Sequence, residues 1–314
     1  MLSLLITCMA ASLASSPAIE KRGTIECDIV EATPVAFDKR LYYFQSVRAD
    51  YKHKEEGVND SYFRFWDVEK KTALPYFAKG YHLGSAMVVG DFMYVFGVRK
   101  WGDNRIDLFR SSDLIEWHQS PILDLPGWSI FNTSACRVGP KFVIAIEIDK
   151  PADEAGVPFT IRFAESTDRK TWKLLPSDHV FSKDRYTACP TLKYLDGMYY
   201  MTYLEAKPGP EYETYIVRSR DLIHWETSPK NPVLHYSEED KLIANASLTS
   251  DERARISAAK NTNNSDFDFC EFEGETVILY SWGNQQGVEH LAEARFPAPL
   301  NTFLPSFFPN NQPK

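Results

Sequence analysis

The chain has 314 residues, with 43 acidic and 35 basic side chains, a formal net charge of −8 and 14% aromatic residues. That length can bury a substantial core. The acidic balance, without a Lys/Arg cluster, excludes the concentrated basic face that a nucleic-acid partner requires. With 44% hydrophobic and 25% charged residues the composition is otherwise ordinary, so the 20 Phe, 16 Tyr and 7 Trp stand out. Aromatic side chains favour strands, and in a carbohydrate site they offer flat faces to sugar rings.

In chain order, the first feature is the apolar run Leu2 to Ala14, which is too short to span a bilayer but fits the hydrophobic region of a signal peptide. Ser12-Leu13-Ala14 offers a small-x-small cleavage site, although no Lys or Arg precedes the run. The expectation is a leader over residues 1–14 and a secreted or periplasmic protein, or a cytoplasmic one if the run is not a functional leader. No other segment is long and apolar enough to cross a membrane. Beyond Cys8, Cys27, Cys136, Cys189 and Cys270 are widely spaced with no CxxC pair, which reads as buried free thiols rather than a zinc site or disulfide framework.

From Thr33 onward an apolar strand, a turn with Asp or Gly and an aromatic, β-branched strand recur: Thr33 to Phe44, Ser85 to Phe96, Cys136 to Ile146, Pro190 to Tyr203 and Cys270 to Trp282. Each reads as a β-hairpin. After three of them comes the pattern S-x-D-x-x-x-W, at Ser111–Trp117, Ser166–Trp172 and Ser219–Trp225. Ser and Asp suit a tight turn because their side chains bond nearby backbone N–H groups, and the Trp opens the next strand. Repetition at this period predicts an all-β fold: a five-bladed β-propeller over residues 24–308, with four antiparallel strands per blade. The stretch Glu238 to Ala259 is the helix candidate, a short insertion before the last blade, and residues 309–314 form a fraying tail.

The repeated "SSDLIEW", "STDRKTW" and "SRDLIHW", with "LDGMYYMTY" in the fourth unit, resemble the five-bladed propeller glycoside hydrolases of the family 43 arabinanase/xylosidase group and the related invertase-type families. The sialidase Asp-box differs, having a Gly between Asp and Trp and a longer offset. The resemblance implies cleavage of glycosidic bonds in a plant or algal oligosaccharide. It further implies a pocket at one mouth of the central channel, lined by the starts of the innermost strands and the ends of the second strands.

Aligning the hairpins on their turns gives those positions. Glu31, His82, Asn132, Arg185 or Tyr186, and Asp266 with Asp268 form the first set. Arg48 and Asp50, Arg99 and Lys100, Glu147, Glu205, and Trp282 to Gln286, with Asn284 and Gln285 among them, form the second. The resembled enzymes use an Asp base from blade one, a pKa-tuning Asp from blade three and a Glu acid from blade four. Glu31 fits the first role with Glu in place of Asp, Asn132 stands at the second, and Asp184 to Pro190 carries no Glu at the third. The expected assignment is therefore Glu205 as general acid, raised by crowding with Glu147, and Glu31 or Asp266 as the base that activates water. Arg48, Arg99, Lys100 and Arg185 would bind hydroxyls, or an acidic group if the carbohydrate is anionic, and Trp282 would stack on it.

Three alternatives stay open: a salt-bridged plug, a non-catalytic sugar-binding propeller, and a phosphate-dependent glycoside phosphorylase that uses the basic cluster. No cofactor is called for. Asn263 to Asp268 is oxygen-rich enough to suggest structural Ca²⁺ near Asp266 and Asp268, with strand-alternating pocket residues as the competing reading.

Overall fold

The computed structural model describes residues 18–52, 54–209 and 211–309. The expected leader and nearly all of the expected tail lie outside these residues. The described chain is mostly β. After strand β1 (Glu20–Cys27) come β2 (Thr33–Phe37), β3 (Arg40–Val47), β4 (Tyr62–Asp67) and β5 (Thr72–Ala73), which form one antiparallel sheet. A second sheet holds β6 (Leu83–Val89), β7 (Phe92–Val98), β8 (Arg105–Ser111) and β9 (His118–Asp124). The third holds β10 (Ser129–Val138), β11 (Lys141–Lys150), β12 (Thr160–Ser166), β13 (Lys173–Leu174) and β14 (Val180–Phe181), with the short helix α1 (Ala152–Ala155) between β11 and β12.

The remaining strands form one larger sheet made of two antiparallel groups. One is β15 (Thr187–Leu195), β16 (Met198–Lys207), β17 (Glu211–Ser219) and β18 (Trp225–Thr227); the other is β19 (Asn263–Phe272), β20 (Glu275–Gly283) and β21 (Glu289–Phe296) with β1 on its outer edge. A single parallel pair, Tyr212 with Asn263, joins the two groups. Because β1 pairs with β21, the start of the described chain completes the last group, which covers an otherwise open edge. The first strands of the five groups pack side by side in the cycle β2, β6, β10, β15, β19 and back to β2. All five hairpins expected from sequence are present, each turning on a residue of positive φ: Asp38, Gly90, Gly139, Asp196 and Glu273.

The S-x-D-x-x-x-W segments fold identically. In each, the Ser hydroxyl accepts backbone N–H bonds from the residues two and three ahead, and one Asp oxygen does the same from its own starting point. These bonds hold the Asp168 carboxyl down at about 2. The following Trp then packs on the preceding sheet: Trp117 stacks on Phe77 at 3.8 Å, Trp172 meets Phe96 edge-on at 5.8 Å, and Trp225 lies on Phe163 at 5.8 Å. Further aromatic rings are buried in all five core clusters.

The helix expected over Glu238 to Ala259 is instead two pieces: a 3₁₀ turn at Glu238–Lys241 and α2 (Ser250–Ala258). A capping box at Thr249 and Glu252 starts α2 afresh. Asp240 holds the first piece against the sheet, fully buried between Lys21 at 2.7 Å and the Tyr280 hydroxyl at 2.8 Å. A further helix, α3 (Leu300–Ser306), was not anticipated; it packs Phe303 and Leu304 into the core. Cys27 and Cys136 are buried, Cys189 and Cys270 half-buried, and all four are free thiols. No helix among the described residues is long and apolar enough to cross a membrane.

Candidate active site

At one end of the ring the inner strands begin irregularly. Register shifts fall between Ile130 and Thr133, Ala188 and Thr191, and Ser265 and Asp268. Such bulges re-aim a side chain at the cost of a ladder bond. Asn132, Cys189 and Asp266 sit in these bulges, and Glu31 precedes β2 at the matching place, each seven residues ahead of its own hairpin's turn residue. Glu31, Cys189 and Asp266 share a left-handed backbone, with φ of 56°, 50° and 49°, a conformation uncommon outside Gly. The second sheet has an unbroken register; its matching residue, Leu83, is buried in the core, and Gly84 faces the channel instead.

These irregular starts put Glu31, Asn132, Cys189 and Asp266 around one axial cavity of about 30 Å³. That space holds a water but no sugar ring, so any ligand the size of a sugar ring is confined to the mouth above it. Asp268 lines the cavity one layer deeper and is paired with Lys193 at 2.9 Å. Lys193 also borders a second cavity, of about 350 Å³, at the opposite end of the channel.

The carboxyl groups form a graded set. Glu31 Oε2 accepts from Arg48 at 2.7 Å. Asn132 Nδ2 donates to Glu31 Oε1 at 3.4 Å and to Glu147 Oε2 at 3.2 Å, bridging the two. The same Glu147 oxygen accepts the Cys189 backbone N–H at 2.7 Å. Glu147 is buried, and that desolvation pushes its carboxyl up to about 8 against the pull of these two donors, with Glu31 and Asp266 adding to the rise. Asp266 is raised as well, first by burial and then by the charge of Glu31. Glu289, half-buried beside them, is raised mainly by burial.

Glu205 does not take part in this crowding. Its two oxygens accept from Arg185 Nε at 3.2 and 3.1 Å, and the neighbours that raise Glu147 are Glu31 and Asp266. The expectation of a Glu205–Glu147 pair is therefore corrected: Glu147 is the elevated carboxyl, and Glu205 belongs to an ion pair on the rim. Trp282 is corrected too. Its indole is fully buried and donates to Thr24 Oγ1 at 2.8 Å, so no face is left for a ligand.

The other expected residues lie as follows. His82 is half-buried with Nδ1 3.4 Å from Ser61 Oγ; burial and Arg48 lower its pKa. Arg99 and Lys100 are exposed, and the Arg99 guanidinium lies 5.8 Å from the Tyr81 ring. Asn284 closes a turn by accepting from the Gln286 and Val288 N–H groups, and Gln285 reaches Asn263 Oδ1 at 3.3 Å. Tyr186 stands half-buried at the mouth. Asn263 to Asp268 runs as strand rather than as a metal loop, and no three His, Cys, Asp or Glu side chains converge as a metal cage among the described residues.

Four residues at the site escaped the sequence reading, Glu289 among them. Cys189 is marked by the seven-residue offset from Asp196, which the strand-like "ACPTL" obscured. Tyr51 packs under Arg48, with 5.5 Å from guanidinium to ring centroid. Trp101 follows the second strand of the second hairpin; it is 54% exposed, and the Arg48 guanidinium lies 5.8 Å from its ring.

No family model matches the sequence, and no curated protein matches it. Solved structures do match in fold. The BT0996 RGII complex aligns with a TM-score of 0.59 at 14% identity over 88% of this chain and 92% of that one. A thermostable family-43 glycoside hydrolase gives a TM-score of 0.58 at 14% identity, covering 87% and 90%. The Bombyx mori GH32 beta-fructofuranosidase BmSUC1 gives 0.57 at 12% identity, with 90% of this chain on 62% of that one. The chain thus shares its fold with propeller glycosidases while differing from them in most residues.

Proposed function

We propose that this chain is a five-bladed propeller glycoside hydrolase that cleaves a plant or algal oligosaccharide at the channel mouth. The observation that carries the reading is the pair Glu31 and Asp266. They sit at matching positions, each seven residues ahead of its hairpin's turn residue, Glu31 just before β2 and Asp266 in the bulge of β19, line one cavity, and differ in electrostatic setting. Glycoside cleavage needs such a pair, one carboxyl protonated as acid and the other charged as base or nucleophile.

In this reading Asp266, disfavoured as an anion by burial and by Glu31, protonates the departing oxygen. Glu31, matched by Arg48, acts on the opposite side of the anomeric carbon. Glu147, neutral near pH 7, fixes Asn132 and the Cys189 backbone and adds no second negative charge beside Glu31. The fold neighbours support the class of reaction, since those named above include a family-43 glycoside hydrolase and a beta-fructofuranosidase, and another is named as a xylan beta-1,4-xylosidase.

Hydrolysis is favoured over phosphorolysis because Arg48 and Arg185 are already bound to Glu31 and Glu205. One observation supports a non-catalytic, sugar-binding reading instead: the blade-four position holds Cys189, which cannot donate a proton as a carboxylic acid does. Reducing-sugar release from neutral and acidic oligosaccharides, with and without phosphate, separates these readings. Release without phosphate from a neutral series is expected. Dependence on phosphate would establish phosphorolysis, and binding without release would establish the non-catalytic reading.

A further inference from the structure

Beyond the carboxylates, the mouth carries a row of aromatic rings that starts from core residues, Phe131 and Phe159, and reaches the surface at Trp101, Tyr186 and Tyr212. Trp101 stands edge-on to Phe131 at 5.3 Å; Phe131 meets Phe159 at 4.6 Å, Phe159 meets Tyr186 at 5.4 Å, and Tyr186 meets Tyr212 at 6.3 Å. The row starts after β7, crosses the beginnings of β10, β12 and β15, and ends at the start of β17, so it follows the rim across three successive sheets. Phe131 is the buried link; Phe159, Tyr186 and Tyr212 are half-buried, and Trp101 is 54% exposed.

Leaving that much indole in water forgoes burial that would stabilise the fold, and the inter-sheet Trp residues show how this chain buries an indole when packing is its purpose. We infer that the rim is a track for a neutral oligosaccharide, with Trp101 and Tyr212 holding sugar units on either side of the one above Glu31 and Asp266. Tyr and Trp suit this task because each offers an apolar face and a polar edge. Arg48 and Arg185, which flank the row, are held by Glu31 and Glu205, so at those two places the rings are the surface offered to an uncharged sugar. The inference rests on the sugar-site reading above and adds a requirement for chain length.

Calorimetric titration of the full chain with xylo-, arabino- and fructo-oligosaccharides of two, four and six units tests it, run beside a cleavage assay on the same ligands. In the series that binds, affinity is expected to rise by about tenfold from the disaccharide to the tetrasaccharide, the scale of one added ring contact. Trp101→Ala should abolish that rise and Trp101→Phe should keep most of it. The same rise in Trp101→Ala as in the wild type, or no rise in the wild type, overturns the track. Cleavage without the rise leaves hydrolysis standing and removes the track. The rise without cleavage supports the track and removes hydrolysis. No binding in any series overturns both.

Discussion

The turns at the blade edges and the strand starts at the channel mouth are both repeated features, yet they repeat different things. At Ser111, Ser166 and Ser219 the side chains and the backbone recur together, down to the same N–H donors. At Glu31, Cys189 and Asp266 the backbone recurs and the side chain does not. A turn that only has to close and pack is held to one solution. A bulge that aims a side chain into a shared cavity is a common mount whose occupant varies with the chemistry.

The sharpest way to break this contrast is to remove charge at the mouth. Glu31→Gln and Asp266→Asn should each lower cleavage by about 10²- to 10⁴-fold, the range for loss of a positioned acid or base; Asp266→Asn should leave thermal stability near that of the wild type, and Glu31→Gln, which strips Arg48 of its partner, should cost some stability. Altering the turns should do the reverse. Trp225→Ala removes an indole packed against Phe163 and Phe181 and should cost about 3 kcal/mol or more of stability. Asp221→Ala removes two backbone bonds and should cost about 1 kcal/mol. Denaturant melts together with kcat/KM for each variant test both halves.

Glu147 lies between the two classes, structural in place and electrostatic in effect. With its folded pKa raised to about 8, above the unfolded value, the folded state holds the proton more tightly across that interval. Its contribution to stability is therefore greatest at low pH and is lost as pH rises through the window up to about 8. Glu147→Gln keeps the neutral form, so its melting temperature should gain on the wild type as pH increases from 5 to 8. A constant difference across that range would remove the proposed neutral carboxyl. The smallest effect is expected at Glu205→Gln: it frees Arg185 on the rim and should change kcat/KM by less than about tenfold, in the range of a part-exposed ion pair.

The repeat made the hairpins and turns legible from sequence, because turn chemistry and Trp packing are local and use the same residues each time. The mouth was legible in part. Glu31, Asn132 and Asp266 were found by aligning the hairpins on their turns, whereas in the fourth unit that alignment was read at Arg185 or Tyr186 and Cys189, in an apolar strand, was missed. Trp282 misled for the opposite reason: an aromatic at a strand end reads as a platform, but β1 and the segment around Asp240 cover it, a contact between residues far apart in sequence. The raised carboxyls of Glu147 and Asp266 were likewise hidden, because they depend first on burial, which only the folded sheets create.

The central claim is that Glu31 and Asp266 act together on a glycosidic bond. The most direct measurement is sugar release, without phosphate, by the wild-type chain, Glu31→Gln and Asp266→Asn side by side on the same oligosaccharides. The account predicts release by the wild type and a loss of at least about 100-fold in each variant. Wild-type rates in both variants would contradict it.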